Sequence, residues 1–147
     1  ILVDKSMDEI LYIKDENNAC KVVYKTEVRI VQLTSLQYMK KLCFMYGCNF
    51  NYQVRFVSSI LKIRQKVPVI INVENKHIYF PVYGLKNENI WIHYKMIQTL
   101  KQDIRGRCIV CFKGGKKLTL LCDRRSIQRQ RRRCRRLLEI IKESIIE

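Results

Sequence analysis

The sequence predicts an α+β fold: a single domain of antiparallel β-hairpins and sheet, with one internal helix and a C-terminal arginine-rich amphipathic helix. Three observations carry that prediction. Short β-branched and aromatic runs alternate with polar or glycine turns, a helical apolar pattern lies between Leu36 and Tyr46, and the last segment sets a narrow apolar stripe among arginines. With 147 residues, 48% of them hydrophobic, the chain can bury a substantial core, so residues 1–147 read as one domain, an α+β body to 123 and a basic helix over 124–147.

The first hairpin pairs Ile10–Lys14 with Cys20–Lys25 across the polar turn Asp15–Asn18, with Ile10, Tyr12, Val22 and Tyr24 as its apolar positions. A third strand, Val28–Leu33, leads to Thr34 and Ser35, which suit a helix N-cap. Leu36, Met39, Leu42, Cys43 and Tyr46 then follow helical spacing up to Gly47. Residues 48–66 read as irregular, with Arg55, Lys62, Arg64 and Lys66 interleaved with Phe50, Tyr52 and Phe56; that mixture suits a nucleic-acid contact, although it also suits the rim of a core. Val67–Val73 and His77–Val82 form the most secure hairpin, closed by Pro81. A strand over Ile90–Ile92 precedes a helical or mixed segment to about Gln102. Cys108–Phe112 and Lys117–Cys122 then flank the Gly114-Gly115 turn.

In the last segment, Ile127, Cys134, Leu137, Leu138, Ile141 and Ile145 fall within about 100° of arc at 100° per residue. Arg124, Arg125, Arg129, Arg131, Arg132, Arg133, Arg135 and Arg136 occupy the other faces, and Asp123 is placed to cap the first turn. Eight like charges on one helix repel one another, which a bound polyanion relieves. A solvated face accounts for solubility but not for the scarcity of acidic neighbours. A partner helix or a second copy of the chain could also take the stripe. An anionic membrane is the weaker fit, because the stripe has no Trp or Phe.

Net charge is +16. Fourteen basic residues between Lys101 and Arg136 meet only Asp103 and Asp123, so this third of the chain supplies twelve of those sixteen charges. Polyanion binding that weakens with salt follows. Ile1–Glu16 lacks the basic start and apolar core of a signal peptide, and no stretch reaches the roughly 20 apolar residues of a membrane span; the expectation is a soluble, cytoplasmic protein. Seven cysteines scattered among apolar neighbours read as reduced core thiols. The CxxC of Cys108 and Cys111 encloses Ile109 and Val110, which read as strand and send the sulfurs to opposite faces, so no metal is expected. His77 and His93 are the only histidines, neither has a carboxylate spaced to orient it, and no phosphate loop is present; an enzyme is not expected.

Several short words, in order from about Glu9 to Arg136, resemble the ComK family of bacterial competence transcription factors. They are Tyr46-Gly47-Cys48-Asn49-Phe50 with Arg55 beyond, Val67-Pro68-Val69-Ile70, Phe80-Pro81, Trp91-Ile92, Phe112 with Gly115, and Ile127, Gln130 and Arg133. The chain has Cys48 and Asn49 where the family has two serines, Val54 where it has glycine and Asp123 where it has serine; its arginine cluster is also denser. The resemblance implies a nucleoid-associated activator that binds AT-rich double-stranded DNA boxes as a homo-oligomer, largely through the minor groove. It also implies RNA polymerase and a Clp-protease adaptor as partners, with no cofactor.

On that reading the arginines displace counterions from about six phosphates per subunit, giving a salt slope near −5. One or two of them, or Arg55, would read the narrow groove of A-tracts. The alternative is a basic RNA- or ribosome-binding protein without DNA sequence preference.

Overall fold

The computed structural model describes residues 9–146, and side chains through 144. The reading of the first eight residues and the place of Ile145 in the stripe lie outside the described residues. The chain forms β1 (Ile10–Glu16), β2 (Ala19–Tyr24), β3 (Val28–Val31), α1 (Ser35–Met45), α2 (Phe50–Leu61), β4 (Val69–Asn72), β5 (His77–Tyr83), β6 (Asn89–His93), a 3-10 turn (Tyr94–Met96), β7 (Ile97–Gln102), β8 (Cys108–Phe112), β9 (Lys117–Thr119) and α3 (Arg124–Ile146). The α+β class, the antiparallel hairpins and the C-terminal helix agree with the sequence reading. Two elements differ from it: residues 48–66 hold a second internal helix, α2, and the segment before Gln102 is a strand, β7.

Among the described residues all pairings are antiparallel, in a six-stranded sheet of order β3-β2-β1-β6-β5-β4 and a three-stranded sheet of order β7-β8-β9. Strand side chains alternate between faces, and here the alternation sorts residues into two cores. Ile78, Phe80, Val82, Ile90 and Ile92 face the core shared with the small sheet and α3. Tyr79, Trp91, Val69, Ile71, Val22 and Ile13 face the core under α1. Because the large sheet is covered on both faces, β4 and β6 read as continuous apolar runs.

Local signals set the boundaries. Thr34 Oγ1 accepts the Gln37 N–H (3.2 Å) while Gln37 Oε1 accepts the Thr34 N–H (2.9 Å), a reciprocal cap that starts α1. The Ser35 N–H donates to the Asp15 carboxylate, which ties α1 to β1. Gly47, at φ +74°, reverses the chain after α1, and Asn49 immediately caps α2 by accepting the Tyr52 N–H at 2.9 Å. Pro81 sits inside β5 opposite Trp91, beyond the point where β4 ends its pairing at Tyr79, so its missing N–H leaves no ladder bond unmade. Gly114 and Gly115, at φ +95° and +102°, make the β8–β9 turn as the sequence indicated.

The two sheets are joined by stacked Tyr12 and Phe112 rings (5.5 Å) and by the Lys116 ammonium, which donates to the Tyr24 carbonyl at 2.8 Å. All seven cysteines are free thiols. Cys108 shares its strand face with Val110 and Phe112 in the core, and Cys111, three residues on, takes the opposite face. Among the described residues no group of three or more His, Cys, Asp or Glu is arranged to hold a metal ion.

Candidate nucleic-acid interface

The start of α3 is fixed by Asp123, whose carboxylate accepts the Ser126 N–H at 3.0 Å and its hydroxyl at 3.2 Å. The Ser126 N–H holds the Asp123 carboxyl below its ordinary range, with the nearby Arg125 charge adding to the effect. From there the helix runs 23 residues, about 34 Å at 1.5 Å per residue. Ile127, Cys134 and Leu137 are fully buried, and Leu138 and Ile141 are half-buried beside them. The stripe read from the sequence is therefore the docking face.

One polar residue shares that face. Gln130 is 3% exposed, and its amide donates to the Lys66 carbonyl (2.8 Å) and, at 3.5 Å, to the Pro81 carbonyl. Arg133 Nη1 donates to the Gln65 carbonyl (3.4 Å) and to Gln130 Oε1 (3.3 Å). These bonds lay the 62–66 loop along the first half of α3. Lys62 caps α2 in the left-handed conformation (φ +55°), and Lys66 repeats that conformation (φ +52°) with its ammonium 5.4 Å from the centre of the Tyr83 ring. The loop thus brings Lys66 to the Arg129 and Arg133 flank of the helix, with the exposed Lys62 and Arg64 on the same loop. Replacing Gln130 with alanine leaves the Lys66 carbonyl without its buried donor, and unfolding free energy should fall by about 1–3 kcal/mol in a denaturant titration.

The other flank differs. Arg135 and Lys142 border a cleft of about 550 Å³ whose wall includes Val73, Tyr94, Leu138 and Ile141. Arg131 is half-buried, and its Nε meets no acceptor among the described residues. Arg124, Arg125, Arg129, Arg132, Arg135 and Arg136 are exposed. Among the described residues, Arg136 is the one helix arginine with a carboxylate partner, Glu139 at 3.7 Å, and that pair is exposed on both sides. Burial, and then the neighbouring Arg129 charge, pushes the Arg133 guanidinium below its ordinary value. Among the described residues Glu139 and Asp123 thus offset only a small part of the repulsion.

The structure does not gather every expected site residue. Arg55 is exposed on the outer face of α2, seven residues before Lys62, or ~10 Å along the axis, and no hydrogen bond or ion pair joins it to α3 among the described residues. Lys66 does belong with the gathered cations, and within its basic stretch no local signal distinguishes it from its neighbours. No helix among the described residues is long and apolar enough to cross a membrane. His93 lies in the core, with Nδ1 2.7 Å from the Ile10 carbonyl and its ring stacked 4.5 Å from Tyr79, and the His77 ring lies 5.1 Å away.

Compared with known protein families, residues 9–145 match the model of the ComK protein, covering both sheets, all three helices and the arginine cluster. The chain belongs to the ComK family. Membership makes it a member of a family of competence transcription factors, and the match extends past the arginines nearly to the end of α3. Searches of curated proteins and of solved structures return no match.

Proposed function

We propose that this ComK-family chain is a sequence-preferring DNA-binding activator that recognises AT-rich promoter boxes through the minor groove and does so as a multimer. The observation that carries the reading is a cationic surface with little acidic neutralisation among the described residues, the exposed Arg136–Glu139 pair being its one ion pair on α3. Six arginines of α3 are exposed, and the loop that carries Lys62, Arg64 and Lys66 is bonded to the helix through its Lys66 and Gln65 carbonyls. Phosphate oxygens relieve that charge and release counterions, which supplies affinity without sequence preference. Preference comes from arginines entering the narrow, strongly negative minor groove of A-tracts. The family reading adds a nucleoid location, RNA polymerase as the recruited partner and a Clp-protease adaptor as the route of turnover.

Fluorescence anisotropy with three equal-length ligands, a duplex with paired A- and T-tracts, a GC-rich duplex and an RNA, at two salt concentrations, tests the proposal. The expected outcome is a preference of about tenfold or more for the A/T duplex that persists at the higher salt. Equal binding to all three that collapses together with salt would leave a general polyanion binder.

A further inference from the structure

The tip of the β7–β8 hairpin, residues 103–107, is built around one carboxylate. Asp103 Oδ1 accepts the backbone N–H groups of Arg105 and Arg107, each at 2.9 Å, and Oδ2 accepts Arg107 Nε at 2.7 Å. The Gly106 N–H donates to the Asp103 carbonyl and the Asp103 N–H to the Arg107 carbonyl, each at 3.0 Å, with Gly106 at φ +81°. The turn is thereby held in one conformation, and its apex is Ile104, whose relative accessibility is 103%. Single exposed apolar residues are ordinary on protein surfaces. Ile104 differs in being wholly exposed at the point of a rigid turn, with an exposed arginine directly after it.

The tip also stands where the cationic surface begins. The Cys108 N–H donates to the Cys122 carbonyl at 2.8 Å, so the hairpin leaves the body beside Asp123 and the first turn of α3. Arg105 and Arg107 are thus placed at the Arg124 and Arg125 end of the helix. An aliphatic point flanked by guanidiniums matches what a wedge in a duplex minor groove needs: cations for the phosphates that border the groove, and an apolar side chain to slip between the stacked faces of one base step.

We propose that the β7–β8 tip is a DNA wedge: Ile104 enters the minor groove and parts one base step, while Arg105 holds the adjoining phosphates. This rests on the DNA reading above and adds to it a second contact, which deforms the duplex. Pyrimidine–purine steps such as TA unstack most readily, so the wedge favours boxes that carry one between their tracts.

The test uses the full chain and a duplex of paired A- and T-tracts, with 2-aminopurine at the central step and a dye at each end. Binding is expected to raise 2-aminopurine fluorescence and to shorten the end-to-end distance by energy transfer. With Ile104→Ala both signals should disappear at saturating protein, and Ile104→Met, which keeps an apolar point, should restore them. Because Ile104 is fully exposed, circular dichroism should match the parent in both variants. Replacing Arg129, Arg132 and Arg136 with glutamine should weaken binding yet leave both signals intact at saturation. A parent that binds without either signal, or an Ile104→Ala variant that keeps both, overturns the wedge and leaves the DNA reading standing. A parent that binds no duplex overturns the DNA reading itself. If it instead cosediments with phosphatidylglycerol vesicles in an Ile104-dependent way, the tip is a membrane contact and the wedge is overturned.

Discussion

Replacing Arg129, Arg132 and Arg136 together with glutamine flattens the salt dependence of duplex binding by about 2.7 in log K against log salt, at about 0.9 for each phosphate no longer neutralised. Extrapolated from 1 M to physiological salt, that slope corresponds to roughly a hundredfold weaker affinity. The three lie within about 60° of one another on the helix wheel, on the face opposite the buried stripe. Arg136 makes only its exposed contact with Glu139, and Arg129 and Arg132 make no carboxylate contact among the described residues. Stability should therefore hold while binding falls, and a melting curve run beside the anisotropy titration separates the two. Binding within threefold of the parent, with an unchanged slope, would place the phosphate contacts elsewhere on the surface.

The second large effect concerns the docking of the helix. Leu137 is fully buried in the core cluster that α3 shares with the sheets, and Leu137→Ala removes its side chain from that cluster. The expected destabilisation is about 2–5 kcal/mol. For a domain of this size the midpoint of thermal unfolding should fall by roughly 6–15 °C. Ile141→Ala, at a half-buried position near the far end of the stripe, should cost clearly less. If the two variants melt together near the parent temperature, the helix does not share the cooperative unit of the sheets.

Most of the fold was legible because its signals are local. Alternation in Ile78, Phe80 and Val82, the glycine pair at 114 and 115, Gly47 after α1, and the stripe of α3 each specify an element without reference to the rest of the chain. The helix α2 escapes a reading of the sequence although it packs toward both cores with an amphipathic pattern. Phe50 and Val54 pack toward one, and Val54, Phe56, Ile60 and Leu61 toward the other. Phe50, Val54, Val57 and Leu61 do keep helical spacing, but Arg55 and the basic residues from Lys62 onward, interleaved with Tyr52 and Phe56, draw the reading toward an irregular basic-aromatic segment. Strand β7 was hidden for another reason. It is the edge of a small sheet, with Gln98, Thr99, Lys101 and Gln102 exposed, and its remaining apolar pair, Ile97 and Leu100, has helical spacing. The same helical spacing conceals the hairpin that presents Ile104.

The cationic surface divided in the same way. The arginine helix is a local pattern, whereas its union with the 62–66 loop depends on Gln130 reaching the Lys66 carbonyl, 64 residues away in sequence. No periodicity encodes that contact. Arg55 read equally well as a partner of Arg64, but α2 turns it to the outer face of its own helix.

Cys134 sits in the middle of the arginine helix, fully buried against the sheets, with burial pushing its thiol far above the ordinary range. While α3 is docked, a thiol-specific alkylating reagent can reach neither the sulfur nor its thiolate. Every modification at this position therefore records a moment when the helix has lifted or the domain has opened. Mass-resolved labelling at Cys134 then acts as a clock for every opening that uncovers this face of α3. A labelling rate that slows when duplex DNA is added would measure, in the native protein and without denaturant, how firmly the nucleic acid clamps the helix to its own fold.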